Sequence, residues 1–320
     1  MRTAEVCADT CVDLRACSGV LIVDKPIGTS SGYASRKVGR HFGLKKTGHL
    51  GTLDPLATGV LPLCINDGTR LAQYLMHVDK EYVATMRLGS VTDTQDSQGR
   101  ELSRSDSLPG SEETIRRACE QFTGEQLQVP PMYSALKRNG QPLYKMARRG
   151  EMVERQQRPI TVYELEIIAI EMPDVIMRVS CSSGTYIRTL CHDIGQVLGC
   201  GAHVSALQRT RCGHFEIDAA LPLEKALELE ADMVPQRSFV AMREALQDMP
   251  EITLSVELEF KVCNGVSLSA LELPALCRET LLPGALVKLI AQDGRLLSIG
   301  SSTCSDGNDT ILRPVRVFAN

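Results

Sequence analysis

Apolar residues recur along this chain at two spacings, broken by short continuous runs. Residues 19–24 form such a run and read as a short buried strand. Ser30 or Ser31 can cap the helix that follows, where Ala34, Val38 and Phe42 share one face and Arg36, Lys37 and Arg40 another. Gly59 to Ile65 reads as a second buried strand, with Pro62 suggesting an edge or a bulge. Residues 69–77 look helical. Residues 80–92 alternate, which turns Tyr82 inward beside Ala84, Met86 and Leu88. A helix from Glu112 to Phe122 opens on acids and ends near Gly124.

Residues 161–170 and 174–181 read as adjacent strands. Ser182-Ser183-Gly184 then turns the chain into a helix with Ile187, Cys191, Ile194 and Leu198 on its core face. Helices are predicted over 221–248, and Pro250 marks a boundary. Beyond it lie strand signals at Ala285 to Ile290, Leu296 to Ile299 and Thr310 to Phe318, with Asp293-Gly294 as a two-residue hairpin turn. The pattern predicts an α+β chain with a small β-rich domain at its end.

Composition adds little to the fold but narrows the function. Length suits roughly two domains of about 150 residues. Trp is absent, so aliphatic side chains and Met must fill the core. The net charge of −4 argues mildly against nucleic acid, but the charges are segregated. Bases gather in 36–46 and 137–158, acids in 224–248, and a basic face on an acidic body still suits a polyanion. The twelve cysteines lack zinc-ligand spacing and any C-x-x-C, so free thiols in a reducing compartment are expected, with no metal. No signal pattern or membrane-length apolar run is present, and a cytoplasmic location is expected.

The most informative segment is Gly48-His49-Leu50-Gly51-Thr52-Leu53-Asp54-Pro55-Leu56-Ala57-Thr58-Gly59. Its glycines make it a shaped loop, and Pro55 pushes Asp54 out of the helical region. Lys25, Arg36, Lys37, Arg40, Lys45 and Lys46 precede it, with no acid between Lys25 and Leu53. One carboxylate behind a basic approach fits chemistry on a polyanion. Arg188 stands in the first turn of a predicted helix, where the dipole prefers acids. A partner carboxylate would explain that position, and Asp54 is the candidate. Residues 126–158 are rich in Pro, Gly, Lys and Arg, with Tyr133 and Tyr144 interleaved and a short helix carrying Lys145, Arg148 and Arg149. That mixture suits RNA, through phosphate contact and base stacking.

The Asp54 segment closely resembles the catalytic motif of bacterial tRNA pseudouridine-55 synthases, the TruB family. Val23-Asp24-Lys25-Pro26, Lys80-Glu81-Tyr82, Pro131-Met132-Tyr133-Ser134-Ala135-Leu136-Lys137, Ser183-Gly184-Thr185-Tyr186-Ile187-Arg188-Thr189 and Gly199-Cys200-Gly201-Ala202-His203-Val204 extend the resemblance, which runs from about Gly19 to about Glu230. It implies a catalytic domain over 19–249, built on a mixed, largely antiparallel sheet, with a thumb-like basic insertion near 126–158. A PUA-like RNA-binding domain would follow over 250–320, and 1–18 would be an extension whose order is left open.

The resemblance implies conversion of uridine 55 in the tRNA T loop to pseudouridine without a cofactor. Asp54 would be the essential carboxylate, Arg188 its ion-pair partner and Tyr82 a catalytic residue that stacks on the base and assists a proton transfer. Tyr186 and Leu207 would line the uracil pocket, His49 would displace the nucleotide, and Lys25 would support the loops. Arg36, Lys37, Lys45, Lys46, Lys137, Lys145, Arg148 and Arg149 would contact the RNA backbone. The partner implied is tRNA, with no membrane, no obligate protein partner and a monomeric state. Two alternatives stay open: a guide-dependent subunit of an RNA–protein particle, and a non-catalytic tRNA-binding protein.

Overall fold

The computed structural model describes residues 10–138, 140–151, 153–273, 282–304 and 310–318. Two compact units emerge, one comprising Leu21–Phe239 with the N-terminal segment, the other Val240–Asn320 with Ser18–Val20. The second thus begins ahead of Pro250. No described helix is long and apolar enough to cross a membrane.

The first unit is organised by one mixed sheet. In chain order its main strands are β1 (Gly19–Lys25), β2 (Thr58–Ile65), β3 (Lys80–Leu88), β4 (Gly124–Gln128), β5 (Arg158–Glu171), β6 (Asp174–Cys181), β7 (Ala202–Cys212) and β8 (Leu221–Pro222). Across the sheet they run β8-β1-β2-β7-β3-β6-β5-β4. The β8–β1 and β7–β2 pairs are parallel, while β7–β3, β3–β6, β6–β5 and β5–β4 are antiparallel. In β3 the alternation is complete: Lys80, Tyr82, Ala84, Met86 and Leu88 are all buried. Helices α1 (Ser31–His41), α2 (Glu112–Glu120) and α3 (Ile187–Val197) each bury an apolar stripe, Ala34 and Val38 in α1 and Ile187, Cys191 and Ile194 in α3.

Several local expectations need correction. Pro62 lies inside the sheet, not at its edge. β2 pairs with β7 through Thr58 and Gly59 and with the short strand Thr47–His49 through Leu63 to Ile65, so Pro62 falls where the partner changes. Pro62 has no N–H to give, but its carbonyl accepts from the Leu50 amide at 2.9 Å. Residues 221–248 hold only short helices, the four-residue Leu223–Ala226 and Met242–Ala245 and the 3-10 turn Gln236–Ser238, between short strands. Pro222 and Pro235 interrupt the helical spacing.

The extension is ordered where it is described: Cys11–Val12 pairs with Val234–Pro235 and Leu14 is fully buried. In the second unit the strands run Glu251–Thr253, Leu286–Ile290, Leu296–Cys304, Thr310–Val317, Leu268–Ser269 around a core of Leu254, Val262, Val287, Leu289 and Leu312. The predicted two-residue turn is one residue longer. The Ala291 amide donates to the Arg295 carbonyl, the Gly294 amide to the Ala291 carbonyl, and Gly294 takes φ +88°, a three-residue loop closed by a left-handed glycine.

Candidate active site

Asp54 lies on the loop between the strand Thr47–His49 and β2, and its flanking backbone is fastened on both sides. The Ser31 hydroxyl accepts the Leu53 amide at 2.8 Å and donates to the Leu53 carbonyl at 3.0 Å, a buried two-way clamp. Helix capping is left to Ser30, which accepts the Tyr33 amide. The Gly28 amide donates to the Pro55 carbonyl at 2.7 Å, and the Ala57 amide to the Asp54 carbonyl at 3.1 Å. Gly28 is itself held by Lys25, whose fully buried Nζ donates to the carbonyls of Pro26 and Thr29, each at 2.8 Å. Gly59 adopts φ +97° directly against β7, and a Cβ there would overlap the Arg209 carbonyl.

Arg188 enters from the first turn of α3 with a buried side chain. Its Nε lies 2.9 Å from Asp54 Oδ2 and its Nη2 donates to Oδ1 at 3.3 Å, a side-on ion pair. Nη2 also donates to the Tyr133 carbonyl at 2.7 Å, and Nη1 to the Thr94 carbonyl at 2.8 Å. The remaining contact is with Asp96 Oδ2, at 3.5 Å. A second acid therefore stands behind the pair, contrary to the single carboxylate read from sequence. Asp96 is buried and fixed by the Thr94 hydroxyl at 2.6 Å and the Gln98 amide at 3.0 Å. Its position follows from Gln95, which takes φ +62° and carries an amide oxygen that accepts from the Thr189 hydroxyl.

These groups form one side of a cavity of about 340 Å³. Asp54, Tyr82, Tyr186, Arg188 and Leu207 all line it, together with Lys80 and Arg209. Its further wall comes from Ser134, Ala135 and Leu136 at the base of the basic insertion. Tyr186 is held through its backbone, since buried Gln128 accepts its amide at 2.8 Å and donates to its carbonyl at 3.1 Å. Burial pushes the Tyr82 phenol up to about 12. Burial also raises the Asp54 carboxyl above its usual range; Arg188 pulls against this, Asp96 adds to it and Lys25 opposes it. The arginine thus orients Asp54 and offsets part of a desolvation penalty, rather than lowering its pKa outright.

Lys25 and His49 do not line the cavity. Lys25 braces the loop from behind. Burial lowers its pKa to about 8. His49 ends the strand that leads into the Asp54 loop, half-buried, and burial lowers its pKa as well. Arg36, Lys37, Lys45 and Lys46 are exposed, with Lys37 5.8 Å from the Tyr33 ring. In the insertion Lys145 and Arg148 are exposed, and Arg148 lies 5.6 Å from the Tyr144 ring. Arg149 is paired with Glu151 at 2.6 Å, which reduces its claim as a free phosphate contact. The Lys137 side chain lies outside the described residues.

Sequence reasoning missed Asp96, Gln128, Ser31 as a clamp, and Arg209. Residues 39–187 match the N-terminal domain of the TruB family of pseudouridylate synthases, and residues 188–252 the C-terminal domain of tRNA pseudouridylate synthase B. A protein of Pseudomonas aeruginosa described as tRNA pseudouridine synthase B is 42% identical over 94% of this chain and 97% of its own length. One of Burkholderia pseudomallei with the same description is 43% identical over 95% and 97%. Among solved structures, a chain of a Cbf5-Nop10-Gar1 complex superposes with a TM-score of 0.72 at 28% identity, covering 96% of this chain and 86% of that one. A chain of an H/ACA ribonucleoprotein bound to a substrate RNA containing 2'-deoxyuridine gives 0.70 at 26% identity, covering 100% and 93%. With its mixed sheet, its cavity and this likeness along nearly its whole length, the chain belongs to the TruB family of pseudouridylate synthases.

Proposed function

We propose that this chain converts uridine 55, in the T loop of tRNA, to pseudouridine, acting alone and in the cytoplasm. One observation carries the reading: a carboxylate held side-on by a buried arginine borders a cavity that also contains a tyrosine ring. The extensive likeness to proteins described as tRNA pseudouridine synthase B supports tRNA as substrate.

Asp54 is the reacting group, in its ionised form. It attacks C1′, adds to the base or removes the C2′ proton, and in each course the electron pair of the N1–C1′ bond goes to N1. The base turns and C5 gives an electron pair to C1′, as the bond to Asp54 breaks or the C2′ proton is returned; the C5 proton leaves to a base and N1 gains a proton. Reactant and product are isomers, so neither an oxidant nor an energy source is consumed. Tyr82 stacks on the base, Tyr186 and Leu207 confine it, and Arg188 aims the carboxylate. His49 helps displace the nucleotide, at a cost of a few kcal/mol offset by stacking and backbone contacts. Exposed cations on α1 and the insertion take phosphates, and the β-rich second unit serves as a PUA-like RNA-binding domain.

A guide-dependent reading is favoured by one observation, the structural likeness to H/ACA assemblies. Tritium release from 5-tritiated uridine in an unmodified tRNA transcript separates the two. Release by the purified chain, lost in Asp54→Asn and on replacing the T-loop uridine, is expected. Tight tRNA binding without release would refute the stand-alone synthase. Asp54→Asn should keep tRNA affinity within about tenfold, because an uncharged isostere leaves the phosphate contacts intact.

A further inference from the structure

Two cations in the cavity wall form no ion pair among the described residues. Arg209 is 1% exposed, yet its guanidinium spends its bonds on neutral carbonyls, Nε to Val60 at 2.7 Å and Nη2 to Gly51 at 3.5 Å. Lys80 is 7% exposed and its Nζ donates to the carbonyls of Met76 and Val78, at 3.2 and 2.5 Å. No carboxylate among the described residues comes within 4.0 Å of either, whereas buried Arg188 faces two. Both line the cavity. They flank Tyr82: Lys80 precedes it on the same face of β3, and Arg209 is its register partner on β7. Cys181, the register partner of Lys80 on β6, supplies no charge, because burial pushes its thiol up to about 12.

Buried, unpaired cations are costly and call for an anion at some stage of the working cycle. Taking the chain as a pseudouridine synthase, we propose that Arg209 and Lys80 form the site that receives the detached uracil, sharing the negative charge left on it. When N1–C1′ breaks, the bond's electron pair goes to N1 and spreads onto the ring oxygens, giving an anionic base that is not yet bonded again to the sugar. A backbone phosphate stays with the polymer at the mouth, but the flipped base reaches the wall where these cations lie. Preorganised charge aimed at where charge develops is the strongest kind of electrostatic assistance. It also gives the base a reason to remain bound between the two bond events. Asp54 and Arg188 then act on the sugar side, Lys80 and Arg209 on the base side.

The test compares target nucleotides whose bases differ in how well they bear negative charge. Wild type, Arg209→Gln, Lys80→Gln and Lys80→Arg are followed in single turnover on tRNA transcripts carrying uridine or 5-fluorouridine at the target position. Loss of the target nucleoside is read by digestion and chromatography, and tRNA affinity is measured alongside. Fluorine stabilises the uracil anion and so lessens the need for a cation. Arg209→Gln should slow uridine about 100-fold or more, Lys80→Gln should act in the same direction, and both defects should be smaller on 5-fluorouridine. Lys80→Arg should recover most of the rate. Equal fold losses on both bases, with wild type active, would reduce the two residues to supports of the Val60, Gly51, Met76 and Val78 backbone and overturn the proposal. An inactive wild type would instead remove the reading on which it rests. If Arg209→Gln does not fold, Lys80→Gln decides alone.

Discussion

Replacing Ser31 with alanine isolates how much the placement of Asp54 matters. The hydroxyl is buried and makes two bonds to one residue, the amide and the carbonyl of Leu53, immediately before the carboxylate. Alanine keeps the helix, since Ser30 is the cap, and it fits the space. What disappears is the tether. A typical internal hydrogen bond contributes about 1 kcal/mol net, so releasing both shifts the balance between held and released loop by about 2 kcal/mol. At 1.4 kcal/mol per factor of ten, that is a drop of about 30-fold in the fraction held, if the released loop comes to dominate. The loss should fall on the single-turnover rate, because the exposed cations on α1 and the insertion, proposed above to contact RNA, are untouched. The assay is tritium release at saturating enzyme, paired with tRNA affinity by filter binding. A Ser31→Ala rate within threefold of wild type would refute the reasoning and leave the Leu53 clamp without catalytic consequence.

Rate should fall as pH drops, because the ionised carboxylate reacts, and the midpoint should lie above the ordinary carboxylate range because burial raises the Asp54 pKa. Asp96→Asn removes a charge that adds to that elevation, so a pH–rate profile should show the acid limb moved to lower pH, with a lower plateau from a less firmly held Arg188; an unmoved limb would contradict the coupling. Neutralising Lys145 and Arg148 should flatten the salt dependence of tRNA binding by up to about one unit of slope for each phosphate left without its cation, and Arg149→Ala should change it less, as Glu151 already pairs with it. Gly59→Ala should cost about 1–3 kcal/mol or more by driving a Cβ into the Arg209 carbonyl, read as a lower melting temperature and lower activity.

The parts of this fold legible in sequence are those with a one-sided environment. β3 alternates because one face is core, and α1 and α3 show a stripe for the same reason. The pairing of Arg188 with Asp54 was legible through an anomaly, a cation at the wrong end of a helix. Asp96 offered no such signal. It stands in the polar stretch Thr92-Asp93-Thr94-Gln95-Asp96-Ser97-Gln98, which resembles any surface loop, and its burial depends on an arginine 92 residues away. Ser31 was read by its most local use, capping, when its partner lies across the loop. Between 221 and 248 apolar spacing suggested helices, but Pro222 and Pro235 cut the chain into pieces too short to propagate them. Charge counting took Arg149 as free because Glu151 is close in sequence but its pairing is a matter of side-chain geometry.

Gln128 and Arg158 face each other in register across β4 and β5, so the whole basic insertion leaves and re-enters the sheet at neighbouring points. Arg155 reinforces that junction by donating to the Pro130 carbonyl at 3.1 Å. A segment joined this way behaves as an enlarged hairpin tip. Closing it costs little more at thirty residues than at ten, since the entropy grows only with the logarithm of length. Its outer part, beyond the Tyr133 carbonyl that holds Arg188 and the Ser134 to Leu136 wall, can be lengthened, shortened or exchanged while the sheet and the ion pair stay unaltered. Changes in the proposed RNA grip can thus be tried out in that outer part, with the cavity wall kept.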